Sequence, residues 1–137
     1  MIDADQLDVN FQENSATFKG NVNIVGDEIT FAADLVEVTL LDNSKDLSKI
    51  KSIMAKDNNK MINATIKRDK INYTLQCREI FIDMIAKQIT ATDATLSNDK
   101  SHMTGEKIIY NIDNGKVVVS GQKRVKILIE DESEKAG

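Results

Sequence analysis

"ITFAADLVEV", residues 29–38, decides the fold. Its apolar positions run Ile29, Phe31 and Ala33, then Val36 and Val38, so a spacing of two lengthens once to three. Alternation with period two keeps apolar side chains on one face of a strand. One extra residue turns every later side chain to the other face unless a bulge or bend absorbs it. Ala32-Ala33-Asp34 is therefore expected to be a corner. The small side chain suits a crowded bend, and the charged neighbour points to water.

The same pattern (apolar, any, small, charged, any, apolar, any, apolar) recurs. It is found from Ile2 with Ala4-Asp5, from Phe31 with Ala33-Asp34, from Leu75 with Cys77-Arg78, and from Met103 with Gly105-Glu106. The first two copies start 29 residues apart and the last two 28 apart, while the middle interval is 44. A fixed recurrence of this kind is the signature of stacked structural units. The charged position alone could suggest catalytic carboxylates at Asp5, Asp34 and Glu106. One slot repeated four times, with Arg78 in the third copy, reads instead as architecture.

Turn signals follow the corners. Asp113-Asn114-Gly115 is a strong hairpin signal, Glu13-Asn14-Ser15 reads as a second turn, and Ala86-Lys87 as a tighter one. Gly20 and Gly121 read as bulge or strand-end glycines, and proline is absent. Residues 42–60 fit either a short amphipathic helix or two strands around an Asn-rich turn. The clean alternation of Ile62, Ala64 and Ile66 favours strands. The expected product is a run of short antiparallel strands over residues 1–129, with an acidic, disordered tail at 130–137.

Composition narrows the function. The chain has 137 residues and a net charge of −4, of which −3 sits in "EDESEK" at 130–135, leaving a body near −1. Duplex nucleic acid calls for a basic footprint, and four Phe, two Tyr and no Trp supply few stacking surfaces. The single cysteine, Cys77, forms no internal disulfide, and the single histidine, His102, makes a triad or a histidine metal site a poor reading. No phosphate-binding glycine loop occurs. No catalytic set, metal site or cofactor is expected. What remains is aliphatic surface on one face of nearly every strand, arranged either as a packed sandwich or as a groove for acyl chains.

"ADQLDVNFQENSATFKGNVNIVGDEITFAADLVEV" (4–38) and "GEKIIYNIDNGKVVVSGQKRVKILI" (105–129) resemble the OstA-like family of lipopolysaccharide-transport proteins. Ala4-Asp5, Gly20-Asn21-Val22, Ala33-Asp34 and the Gly105-to-Gly121 unit match its pattern; Cys77-Arg78 departs from it. The resemblance implies an all-β, two-sheet antiparallel jellyroll, bent into a twisted V and open at both ends. It also implies a non-enzymatic periplasmic bridge that shields lipid A acyl chains between inner-membrane exporter and outer-membrane translocon. Partners would be lipopolysaccharide, fold-sharing domains of the LptC and LptD type, and further copies of the chain joined head to tail. Met1 running straight into the first patterned segment reads as an initiator placed where a leader was removed. Three alternatives stay open: an OstA-like domain of an LptC or LptD relative, a packed β-solenoid or jellyroll scaffold without lipid, and a carbohydrate-binding jellyroll, which the missing Trp disfavours.

On this reading the acyl-chain wall is Phe31, Val36, Val38, Tyr73, Ile80, Ile82, Ile108 and Tyr110, the residues around the corners. Lys123, Arg124 and Lys126 are candidates for head-group phosphates, with a charged protective edge as the plainer explanation. Leu7, Val9 and Phe11 at one end, and Val125, Ile127 and Ile129 at the other, are the candidate edges for self-association.

Overall fold

The computed structural model describes residues 1–41, 49–58 and 60–121, and the backbone of 126–129. The strands are β1 (Ile2–Asp3), β2 (Gln6–Asn10), β3 (Ser15–Val25), β4 (Ile29–Leu40), β5 (Ile50–Lys56) and β6 (Ile62–Arg68). They continue as β7 (Ile71–Cys77), β8 (Glu79–Asp83), β9 (Gln88–Ser97), β10 (Ser101–Asn111), β11 (Val117–Ser120) and β12 (Lys126–Ile129). All pairings are antiparallel.

Long strands belong to two sheets at once. In the first sheet, β1 pairs with the C-terminal half of β3, whose neighbour is the N-terminal half of β4; β6, β7, the C-terminal half of β9, the N-terminal half of β10 and β12 follow. In the second, β2, the other halves of β3 and β4, β5, β8, and the other halves of β9 and β10 lead to β11. The result is an all-β antiparallel jellyroll of two sheets joined at corners.

The corners fall at the changes of spacing. In β4, Ile29, Phe31 and Ala33 are buried, and then Val36, Val38 and Leu40. Leu75 and Cys77 precede Ile80 and Ile82 in the same way, with the break between β7 and β8 at Arg78. In β10 the switch runs from Met103 and Gly105 to Ile108 and Tyr110. Its neighbour β9 makes the matching switch, Ile89 and Ala91 to Ala94 and Leu96, so the β9–β10 register continues unbroken across the bend. Asp93, between the two alanines, takes a left-handed backbone with φ of 49°.

β3 solves the problem differently. Its register against β4 shifts by one residue between Lys19 and Val22, where Gly20 and Asn21 have φ of 78° and 46°. Two successive left-handed residues form a bulge in which Gly20 and Asn21 of β3 stand opposite the single residue Asp34 of β4. The N-terminal corner closes on it: Asp5 donates its backbone N–H to Gly20 O at 2.9 Å, and Asn21 Nδ2 donates to Asp5 Oδ2 at 3.0 Å.

The core lies between the sheets, and among the described residues it contains no buried polar or charged side chain. Burying each Val, Leu, Ile or Phe contributes ~1.5–3 kcal/mol, so these aliphatic layers supply the dominant stabilisation. Residues 50–56 and 62–68 are strands, as the alternation indicated; 42–48 lie outside the described residues, as does the tail at 130–137. Two turns sit elsewhere than the sequence suggested. The first spans Phe11–Asn14, with Ser15 already in β3, and the connection after β8 occupies Met84–Lys87 and is not a tight pair. Both end on a non-glycine residue in the left-handed region, Asn14 and Lys87, which offers no glycine for sequence reasoning to find.

Candidate functional site: the inter-sheet interior

Strand register lines the apolar residues into rows that cross each sheet. In the second sheet one row runs Leu7, Phe18, Val36, Ala55, Ile80, Ala91, Ile108, Val119. A parallel row runs Val9, Ala16, Val38, Ile53, Ile82, Ile89, Tyr110, Val117. The first sheet answers with Ile2, Ile24, Phe31, Ala64, Leu75, Leu96 and Met103, and β12 places Ile127 opposite Met103. Directly opposed positions share a face of the sheet, so each row is continuous from the first strand to the last.

The eight wall residues expected from sequence all fall between the sheets. Seven of them, Phe31, Val36, Val38, Ile80, Ile82, Ile108 and Tyr110, are at most 5% exposed, and Tyr73 is half-buried. The middle of the interior is packed, and its two ends are not. Leu7 and Val9 head their rows on the edge strand β2 and are exposed, with Ile2 and Phe18 partly so. At the other end Met103, Val117 and Val119 are only partly buried. There the sheets enclose a cavity of about 120 Å³ lined by Ile66, Arg68, Tyr73, Leu96, Met103, Tyr110, Gly115 and Val117.

Arg68, which lines that cavity, and Glu28, which bonds to two of its lining side chains, were not singled out by sequence reasoning. Arg68 Nη1 donates to Tyr110 OH at 3.2 Å and to Ile112 O at 2.6 Å, and its Nη2 donates to Asp113 O at 3.2 Å. Tyr110 OH donates in turn to Glu28 Oε2 at 3.2 Å, and Arg68 Nη1 lies 3.8 Å from Glu28 Oε1. Burial pushes the Tyr110 hydroxyl above its ordinary pKa against the pull of Arg68, so it stays a neutral phenol. No sequence signal joins residues 42 and 82 positions apart.

Two of the four charged corner positions make contacts that hold their corners. Asp5 holds the β3 bulge, and Arg78 Nε lies 3.4 Å from Asp93 Oδ2 across the β8–β9 bend, both side chains largely exposed. Cys77 is fully buried, and desolvation pushes its thiol up to about 12, which makes it an inert core residue.

Among the edge candidates, Leu7 and Val9 lie on β2, which among the described residues pairs only with β3, whereas Phe11 sits exposed in the following turn and not on the strand. Ile127 and Ile129 lie on β12, paired with Met103 and Ser101 of β10. Val125, Lys123 and Arg124 lie outside the described residues, and of Lys126 only the backbone in β12 is described.

No curated protein matches this chain. Among solved structures, it is similar to LptH of Pseudomonas aeruginosa, described as the LptA-homologous periplasmic component of the conserved lipopolysaccharide transport device. The TM-score is 0.82 at 15% identity, covering 96% of this chain and 94% of that one. At that identity the likeness establishes the fold. The family described as "LptA/(LptD N-terminal domain) LPS transport protein" matches residues 1–116. A match over most of the chain, on the jellyroll that this family's relatives share, settles the affiliation: the chain belongs to the LptA/LptD N-terminal family of lipopolysaccharide-transport proteins.

Proposed function

We propose that this chain is a non-enzymatic periplasmic carrier that shields the acyl chains of lipopolysaccharide between its sheets and passes them along a bridge of similar domains. The observation that carries the reading is the set of apolar rows running unbroken from edge strand to edge strand, with no buried polar side chain among the described residues. A ligand recognised by its chains needs little else, because each buried CH₂ contributes ~0.8 kcal/mol. The rows end on exposed Leu7 and Val9 and on half-buried Val117 and Val119, so a strand added at either edge would extend them. Joining unlike edges is a heterologous contact, which continues as a filament and does not close as a dimer. The end members would then pair with fold-sharing domains of the LptC and LptD type. Lys123 and Arg124, which precede the last strand in sequence, and Lys126, its first residue, are the proposed contacts for head-group phosphate.

The close packing of the middle of the interior favours a second reading, a scaffold with the same walls and no lipid. Native mass spectrometry of protein purified from lipopolysaccharide-producing cells separates the two. The carrier reading expects a bound species of lipopolysaccharide mass that organic extraction removes. Purely apo protein, unable to take up added lipopolysaccharide, would support the scaffold.

A further inference from the structure

The long strands β3, β4, β9 and β10 pass from one sheet to the other at the corners, so the hairpin turns lie at the far ends of both sheets, on the side away from the corners. The β6–β7 turn, which follows Arg68, belongs to the first sheet, and the β10–β11 turn at 112–116 belongs to the second. Arg68 joins these two ends. Its guanidinium donates to Tyr110, Ile112 and Asp113 of the second sheet, while Glu28, in the β3–β4 turn of the first, holds both the tyrosine and the arginine. Its guanidinium packs so closely over Gly115 that a Cβ there would stand 2.6 Å from Arg68 Nε and 3.0 Å from Cζ. The same side chain lines the 120 Å³ cavity enclosed by Ile66, Tyr73, Leu96, Met103 and Val117.

From this geometry we infer that Arg68 is a latch: it holds the two sheets together over the cavity near the last strands, and a single apolar chain reaches the cavity only when the latch opens. The alternative chemistry, an anion site, does not suit the residue. Glu28 already faces the guanidinium, and two backbone carbonyls and a phenol take three of its five N–H donors. Hydrogen bonds to a charged donor are stronger than neutral ones, but those at a partly exposed rim exchange with water. That suits a contact made to open and close. Lysine cannot reproduce the fork, because it offers one point charge where arginine spans several acceptors.

The inference rests on the reading of the interior as an acyl-chain path, and its test is kept separate from lipopolysaccharide itself. The probe is N-phenyl-1-naphthylamine, a neutral apolar fluorophore, mixed by stopped flow with wild-type, Arg68→Ala, Arg68→Lys and Arg78→Ala proteins. Arg78 lies on the outer side of a corner and serves as the control. The association rate is expected to rise at least fivefold in Arg68→Ala, by less in Arg68→Lys, and not at all in Arg78→Ala. Equal rates in wild type and Arg68→Ala, with unchanged circular dichroism, overturn the latch. Should Arg68→Ala not fold, the Arg68→Lys rate decides: no acceleration there overturns it equally. A wild-type protein that never retains lipopolysaccharide, together with an Arg68→Ala protein that admits the probe faster, sinks the carrier reading and leaves the latch standing.

Discussion

Replacing Gly105 with alanine places a methyl group where the fourth corner has no room. A Cβ there would stand 2.6 Å from Val119 Cγ1 and 2.9 Å from Ser120 O, both on the neighbouring β11. Non-bonded carbons rest ~3.5–4.0 Å apart, so the overlap with Val119 is about 1 Å. The valine can rotate away, but the carbonyl moves only if β11 moves, and β11 is a four-residue strand that among the described residues pairs with β10 alone. Overpacking of this kind costs ~1–3 kcal/mol. Loss of glycine's freedom in the unfolded chain offsets ~0.4–1 kcal/mol of it. The expected net destabilisation is about 1–2 kcal/mol. With a urea m-value of ~1–3 kcal/mol/M, the midpoint should fall by roughly 0.5–1 M, read by circular dichroism. Adding Val119→Ala to Gly105→Ala removes the closer clash and keeps the carbonyl one. The pair should therefore couple favourably by about 0.5–1 kcal/mol in a double-mutant cycle. A Gly105→Ala midpoint equal to or above wild type would falsify the claim that the corner requires a residue without a side chain.

Two further outcomes follow from the core and the edge. Cys77, its thiol pushed up to about 12 from an ordinary 9.0, should resist Ellman's reagent at pH 8 and react fully in urea. The folded state keeps this proton while the unfolded state loses it. Stability should therefore be unaffected by the thiol below pH 9, then fall by ~1.4 kcal/mol per pH unit toward pH 12, and Cys77→Ala should flatten that slope in alkaline denaturation. Leu7 and Val9 are exposed on an edge strand, so changing both to lysine should shift the urea midpoint by little, since such surface changes stay within ~0.5 kcal/mol. The lysines should also reduce concentration-dependent oligomers in sedimentation velocity; undiminished assembly assigns the joint to another surface.

The corners were legible in the sequence because they alter a period, and a period is a local quantity. Phe31, Ala33, Val36 and Val38 can point one way only if the chain bends, and the structure bends it there. The β9 corner follows the same rule through Ala91 and Ala94, three apart, yet its apolar residues are alanines and the signal is faint. The β3 bulge was half legible: Gly20 invites a left-handed residue, whereas Asn21 beside it tolerates one but is common elsewhere and so marks it weakly. The row composition and the Arg68 contacts were not legible at all. They depend on which strands become neighbours, and the β4–β6 and β5–β8 pairings skip along the chain. The wall residues came out together because burial on one face is a periodic property; their packing density did not, because it depends on the distance between two sheets.

The central claim is that acyl chains travel between the sheets, and site-specific photo-crosslinking tests it most directly. A small diazirine amino acid replaces Val38, Ile82 or Glu37 in turn in protein made in lipopolysaccharide-producing cells. Val38 and Ile82 belong to one inward row, through Ile53, while Glu37 is exposed on the opposite face of β4. After irradiation, immunoblotting for lipopolysaccharide should reveal adducts at Val38 and Ile82 and none at Glu37. Equal labelling at all three positions, or labelling at Glu37 alone, contradicts a path between the sheets.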